Sequence, residues 1–166
     1  MHPTYSVIPV RTPQEFQQFW SLCKPHLQAV LNASTFSPAT AEDYDYFLNG
    51  EYLAAIKSLF TRENDPFVPA FFCCNGKIIG FVSYVIYASE NGQCFILEYN
   101  IDDAHRNQGL GKRFFALLRK HVKQNGAKYF KLNCSNVDNE RFWLNLGFVK
   151  AECPDEDGNP IYTRAV

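Results

Sequence analysis

One stretch of this chain constrains its fold more than any other. An apolar run, Phe95-Ile96-Leu97-Glu98-Tyr99-Asn100-Ile101, passes through a short loop into Arg106-Asn107-Gln108-Gly109-Leu110-Gly111-Lys112, and from there into an amphipathic segment. Leu110, Phe114, Leu117, Leu118 and Val122 fall on one face at helical spacing, which predicts a helix from Leu110 to Val122 lying on a sheet. The two glycines let a backbone approach a ligand without Cβ obstruction. The first amides of the helix have no intrahelical partner and sit at the positive end of its dipole, an arrangement suited to phosphate.

The rest of the chain supplies the layers around that unit. Thr4 to Val10 alternates as a first strand. Pro13 to Leu31 has helical spacing through Phe16, Phe19, Trp20, Leu22, Leu27 and Val30, and Pro25 is expected to break it into two helices. Ala39 to Phe60 reads as a second helical region kinked at Asn49-Gly50. Ala70 to Cys74, Asn75-Gly76 and Lys77 to Tyr87 form a hairpin with a favoured turn, and Glu90-Asn91-Gly92 turns into the strand Gln93 to Ile101. A strand over Lys128 to Asn133, a helix over Val137 to Leu146 and strands near Phe148 and Ile161 complete the order. The expectation is a mixed α/β (α+β) fold over residues 1–166 as one domain, its central sheet mostly antiparallel with helices on both faces.

Composition narrows the partners. With 16 Lys and Arg against 17 Asp and Glu the net charge is −1, so no global field favours nucleic acid or anionic lipid. The N-terminus lacks a signal-peptide pattern, and the most apolar stretch, Ile78 to Ala88, is too short to span a bilayer. These features predict a cytoplasmic protein, monomer or homodimer, with no nucleic-acid or membrane partner. The six cysteines (23, 73, 74, 94, 134, 153) show no CxxC pair and read as small reduced core residues, Cys73 and Cys74 on opposite strand faces. The histidines at 2, 26, 105 and 121 show no metal-ligand spacing, and no metal is expected. Aromatics are abundant, with 15 Phe and 9 Tyr, and predict a ring-lined core or pocket.

Two phosphate motifs fail at the glycine turn. A dinucleotide GxGxxG begun at Gly109 needs Gly at 114, where Phe stands. A Walker A loop ending at Gly111-Lys112 needs Gly at 106 and Ser or Thr at 113, and both are Arg. The remaining pattern, Arg-x-x-Gly-x-Gly, resembles the pyrophosphate loop of the GNAT superfamily of N-acetyltransferases. Asp103-Ala104-His105 fills the short preceding loop, and Ile101 stands where that family usually has Val. Asn136, Trp143 and Gly147-Phe148 resemble its second motif, with Trp in place of the usual Tyr. The likeness covers Phe95 to Val149.

The resemblance implies an acetyl-CoA-dependent N-acetyltransferase in which an amine attacks directly within a ternary complex. The alternative is a catalytically silent CoA-binding or sensor module of the same fold. By resemblance the amides of Asn107, Gln108, Gly109, Leu110, Gly111 and Lys112 hold the pyrophosphate. Asn100 and Ile101 pair with the pantetheine arm as an added strand, and the Ile101 amide meets the oxyanion. Arg106 is either a phosphate contact or a surface residue, and Asn136 either bonds the CoA arm or caps its helix. Glu98, the one carboxylate in the central strand, is either the base or substrate anchor, or a structural carboxylate, and a bulge would decide its face. Trp143 cannot act as a titrating acid, but a thiol of pKa about 8.5 leaves tolerably as its anion. Acidic residues Glu42, Asp43, Asp45 and Glu51 are read as a solvated helix face. The acceptor amine has no signature.

Overall fold

The computed structural model describes residues 1–166. In chain order the elements are β1 (Tyr5–Pro9), α1 (Pro13–Ala33), α2 (Ala41–Leu48), α3 (Glu51–Thr61), β2 (Val68–Cys74), β3 (Lys77–Tyr87), β4 (Gln93–Ile101), α4 (Leu110–Gln124), β5 (Tyr129–Asn133), α5 (Val137–Asn145), β6 (Val149–Lys150) and β7 (Ile161–Ala165). The seven strands make one sheet in the order β1-β2-β3-β4-β5-β7-β6, and only β4 and β5 run parallel. The mixed, mostly antiparallel sheet expected from the sequence is present.

Each face of the sheet has its own core. Phe114, Phe115, Leu118 and Val122 of α4 bury against Phe72, Val82, Ile96 and Phe130 on one face. Phe16, Phe19, Cys23 and Leu27 of α1, with Tyr52 and Ile56 of α3, bury against Phe71, Phe81 and Val85 on the other. Cys73 joins the α1 core and Cys74 packs on the α4 core, as strand alternation requires. Cys153 departs from the reading of the cysteines as core residues: it is exposed.

Local chemistry explains most boundaries. Thr12 and Glu15 form a capping box at the start of α1. Asn75 and Gly76 both adopt positive φ, the geometry a two-residue hairpin demands. One expectation about the helices needs correction. Pro25 does not divide α1, which runs unbroken for 21 residues; the apolar stripe of Phe16, Phe19, Cys23 and Leu27, fully used against the sheet, holds both halves in line despite the lost donor. The expected stripe of α4 is present, with Leu117 packed partly buried on the core, and it extends to Phe115, whose ring meets Phe130, Trp143 and Phe148. No helix is long and apolar enough to cross a membrane.

Candidate active site

The parallel pairing of β4 with β5 is short. Gln93, Cys94 and Phe95 pair with Tyr129, Phe130 and Lys131, and beyond Phe95 the two strands part. From Ile96 to Ile101 β4 keeps its bonds to β3 on one side and presents an open edge on the other. Its end lies close against β3: a Cβ on Gly80 would stand 2.3 Å from the Asn100 carbonyl oxygen, so only glycine fits there.

A bulge decides which way Glu98 points. Tyr84 of β3 pairs with Ile96 but Ser83 pairs with Glu98, which leaves Leu97 as the extra residue. Ile96 and Tyr99 therefore face α4 while Leu97 and Glu98 both turn toward α1. There Glu98 Oε2 lies 2.8 Å from His26 Nε2, and the two side chains are 14% and 13% exposed. Ser83, opposite Glu98 and fully buried, has a hydroxyl without a protein partner. Burial and the nearby Glu98 charge together push the Cys23 thiol and the Tyr52 phenol far up.

The fork opens onto a cavity of about 630 Å³ between α1, α2, β4 and the end of β5. His26 and Glu98 lie in one wall, Tyr99 and Trp143 in another, and Asp43 and Asp157 also line it. Trp143 is 3% exposed and packs among Tyr99, Phe142, Phe115 and Phe148. The Tyr99 hydroxyl donates to the Gly111 carbonyl at 2.6 Å, tying the first turn of α4 to β4, and burial raises its pKa well above the ordinary value. Cys134, on the same cavity, is pushed up to about 12, chiefly by burial.

At the end of the open edge lies the glycine turn. None of the backbone amides from Asn107 to Lys112 has a hydrogen-bond partner within the protein. Asn107 and Gly109 adopt positive φ, and a Cβ at Gly109 would meet nothing within 4 Å. Gly111 differs: its Cβ would stand 2.9 Å from the Phe142 ring, so its smallness serves the packing of α4 on α5. Leu110 is buried in the core, Lys112 is exposed, and the Gln108 side-chain amide donates to the Ala104 carbonyl.

The neighbouring candidates are tied into the protein. Arg106 donates to the Ile101 carbonyl at 2.8 Å and to Asn100 Oδ1 at 2.9 Å, and pairs with Asp103 at 2.8 Å, so its guanidinium braces the loop. The Asp102 amide donates to the Ile79 carbonyl on the β3 side; by alternation the Ile101 amide faces the open edge and Asn100 faces β3. Asn136 caps α5 by accepting from the Asn139 amide, and donates to the Ala33 carbonyl at the end of α1. The structure thus brings Glu98, Trp143 and the open edge to one cavity, and sets Asn136 beside its rim as a strut. His26 was not a sequence candidate, since it meets Glu98 across 72 residues of chain and a lone histidine in a helix carries no local signal.

A forked sheet with a run of unpartnered amides at the end of its open edge suits an extended anionic ligand. The sequence pattern of the Acetyltransferase (GNAT) family matches residues 25–148, and the chain belongs to that family. No curated protein matches the sequence. Solved structures share the fold at low identity. The PaiA N-acetyltransferase of Thermoplasma acidophilum, in complex with coenzyme A, superposes with a TM-score of 0.68 at 14% identity, over 97% of this chain and 99% of that one. An acetyltransferase from Thermus thermophilus gives 0.65 at 18% identity, over 98% and 97%. A Salmonella typhimurium acetyltransferase that modifies the N-terminal serine of a 50S ribosomal subunit protein gives 0.66 at 13%, over 97% and 95%.

Proposed function

We propose that the protein is an acetyl-CoA-dependent N-acetyltransferase acting on an amine that enters the cavity beside His26 and Glu98. The observation that carries this reading is the run of unpartnered amides, Asn107 to Lys112, at the end of the open edge of β4. Six unspent donors at a helix N-terminus suit a pyrophosphate, and the empty space around Gly109 admits it. That a protein of the same fold was solved with coenzyme A adds support.

Acetyl-CoA held there would supply an activated acetyl thioester for direct attack by the amine within a ternary complex. The open edge of β4 would hold the pantetheine arm as an added strand, and the Ile101 amide on that edge would donate to the thioester oxygen. The bulge at Leu97 sets Glu98 in the cavity wall, where its carboxylate supports removal of the ammonium proton. Trp143 supplies an apolar wall and no acid, so the thiolate leaves without a side-chain proton. Arg106 and Tyr99 hold the loop and the first turn of α4 in register.

Calorimetry with acetyl-CoA and thiol release across a panel of amines test the proposal. The expected result is binding together with release that depends on an amine. Binding with no release for any amine identifies a silent CoA-binding module, and absence of binding overturns the cofactor assignment.

A further inference from the structure

The His26–Glu98 contact has a chemical consequence. With the Glu98 carboxylate ionised, and so only accepting hydrogen bonds, the 2.8 Å contact from Oε2 to Nε2 requires a proton on Nε2. The other ring nitrogen, Nδ1, then carries a lone pair. His26 lines the cavity, and its ring is held edge-on to Phe81 at 5.4 Å. A histidine gripped through one nitrogen by a carboxylate is oriented, held in one tautomer and able to take a positive charge at the other nitrogen.

We infer that His26 is the group that takes the proton from the acceptor ammonium, and that Glu98 is the positioning residue that holds its tautomer. This assignment rests on the acetyltransferase reading above. The ammonium proton passes to Nδ1. The freed nitrogen lone pair forms the C–N bond as the C–S bond breaks, and the proton that nitrogen sheds on becoming an amide neutralises the departing thiolate. The imidazolium, stabilised by Glu98, then returns its proton to water.

The groups around the pair leave this role to His26. Cys23 of α1 and Tyr52 of α3 are pushed up and stay protonated through the neutral range, as do Tyr99 of β4 and Cys134 at the end of β5. Asp43 already accepts from the Thr40 amide and hydroxyl at 2.7 and 2.9 Å. Asp157 lies on an exposed loop at the cavity rim.

Two measurements test the inference. In the ligand-free protein, ¹⁵N chemical shifts of the His26 imidazole are expected to report Nε2–H with a bare Nδ1; a proton on Nδ1 with Nε2 bare overturns it. In kinetics, His26→Gln is expected to lower kcat/KM by about 10²–10⁴ and to remove the acid limb of its pH profile. Glu98→Gln is expected to lower it by roughly tenfold to a hundredfold and keep that limb, because the base remains while its support is lost. The opposite pattern, with the limb lost in Glu98→Gln and kept in His26→Gln, makes Glu98 the direct base and sinks the proposal. Calorimetry with acetyl-CoA should give wild-type affinity for both variants. A wild-type protein without amine-dependent thiol release overturns the acetyltransferase reading instead, while the tautomer measurement still judges the pair.

Discussion

Two glycines separated by one residue do different jobs. Gly109 holds a left-handed backbone with open space around its Cα, while Gly111 makes room for Phe142. Gly109→Ala places a methyl at left-handed φ at a cost of about 1–2 kcal/mol and into the space a pyrophosphate needs, so acetyl-CoA affinity is expected to fall tenfold or more in calorimetry. Gly111→Ala gains about 1 kcal/mol of helix propensity but must move the Phe142 ring, costing about 1–3 kcal/mol. The net effect is a loss of up to about 2 kcal/mol in urea unfolding, and Phe142→Leu in the same chain should restore part of it. If Gly111→Ala leaves stability unchanged and abolishes cofactor binding, Gly111 is a ligand position after all. Trp143 yields a similar separation. Its ring lies among four other aromatic rings, so Trp143→Phe should cost about 1–2 kcal/mol. Turnover measured below both melting transitions should stay within a few-fold, and a large drop with intact acetyl-CoA affinity would make Trp143 part of the chemistry. The glycine turn and the odd Trp were legible in the sequence because each departs from what its local pattern demands. The different tasks of Gly109 and Gly111 were not legible, because one of them depends on a ring from α5.

At the scale of elements, regular periodicity was readable and its interruptions were not. The hairpin at Asn75-Gly76 and the strand Gln93 to Ile101 follow from turn chemistry and alternation. The bulge at Leu97 reverses the face of Glu98, and nothing in Ile96-Leu97-Glu98 distinguishes a bulged strand from a regular one. Pro25 misleads in the other direction, since a helix interior that has a fully buried stripe tolerates the missing bond. The helix it sits in starts with a capping box whose carboxylate can be tested by pH. Backbone donors from Arg11 and Thr12 hold the Glu15 carboxyl below the usual carboxylate range. A depressed folded-state pKa stabilises at pH above the unfolded value, and that contribution is lost as pH falls through the folded value. Glu15→Gln keeps an acceptor for the box but removes the charge at the helix N-terminus. Its melting temperature is therefore expected to lie below wild type at neutral pH and to converge with it in acid. A gap that stays constant with pH would show that the carboxylate charge contributes nothing. Thr12→Ala, which removes the other half of the box, should cost about 1 kcal/mol at every pH.

Taken whole, the molecule carries almost no net charge, so discrimination among amines must come from the cavity and not from long-range attraction. The cavity has a definite sign. Asp43, Glu98 and Asp157 line it, and no Lys or Arg does. An acceptor therefore meets groups that welcome an ammonium and, apart from His26, which Glu98 already pairs, none that compensates a carboxylate. A free α-amino acid must bring its own carboxylate within a few ångströms of the reacting nitrogen, beside Glu98. At about 4 Å two like charges near a protein surface repel by up to about 4 kcal/mol, and water in the open fork reduces this. The acceptors expected to react best are amines whose neighbouring carboxylate is absent or masked, and a matched pair tests this directly. An amino-acid amide should exceed its parent free amino acid in kcat/KM by roughly tenfold to a hundredfold, about 1.4–2.8 kcal/mol. Because part of that gap is Coulombic across solvent, it should narrow as ionic strength rises. Asp157→Asn, at the rim and outside the His26–Glu98 pair, should narrow it further without touching acetyl-CoA affinity. Equal rates for amide and free acid, or a preference for the free acid, would mean that a carboxylate finds a cation that this cavity does not contain, and the acceptor would then have to enter by another face of the fork.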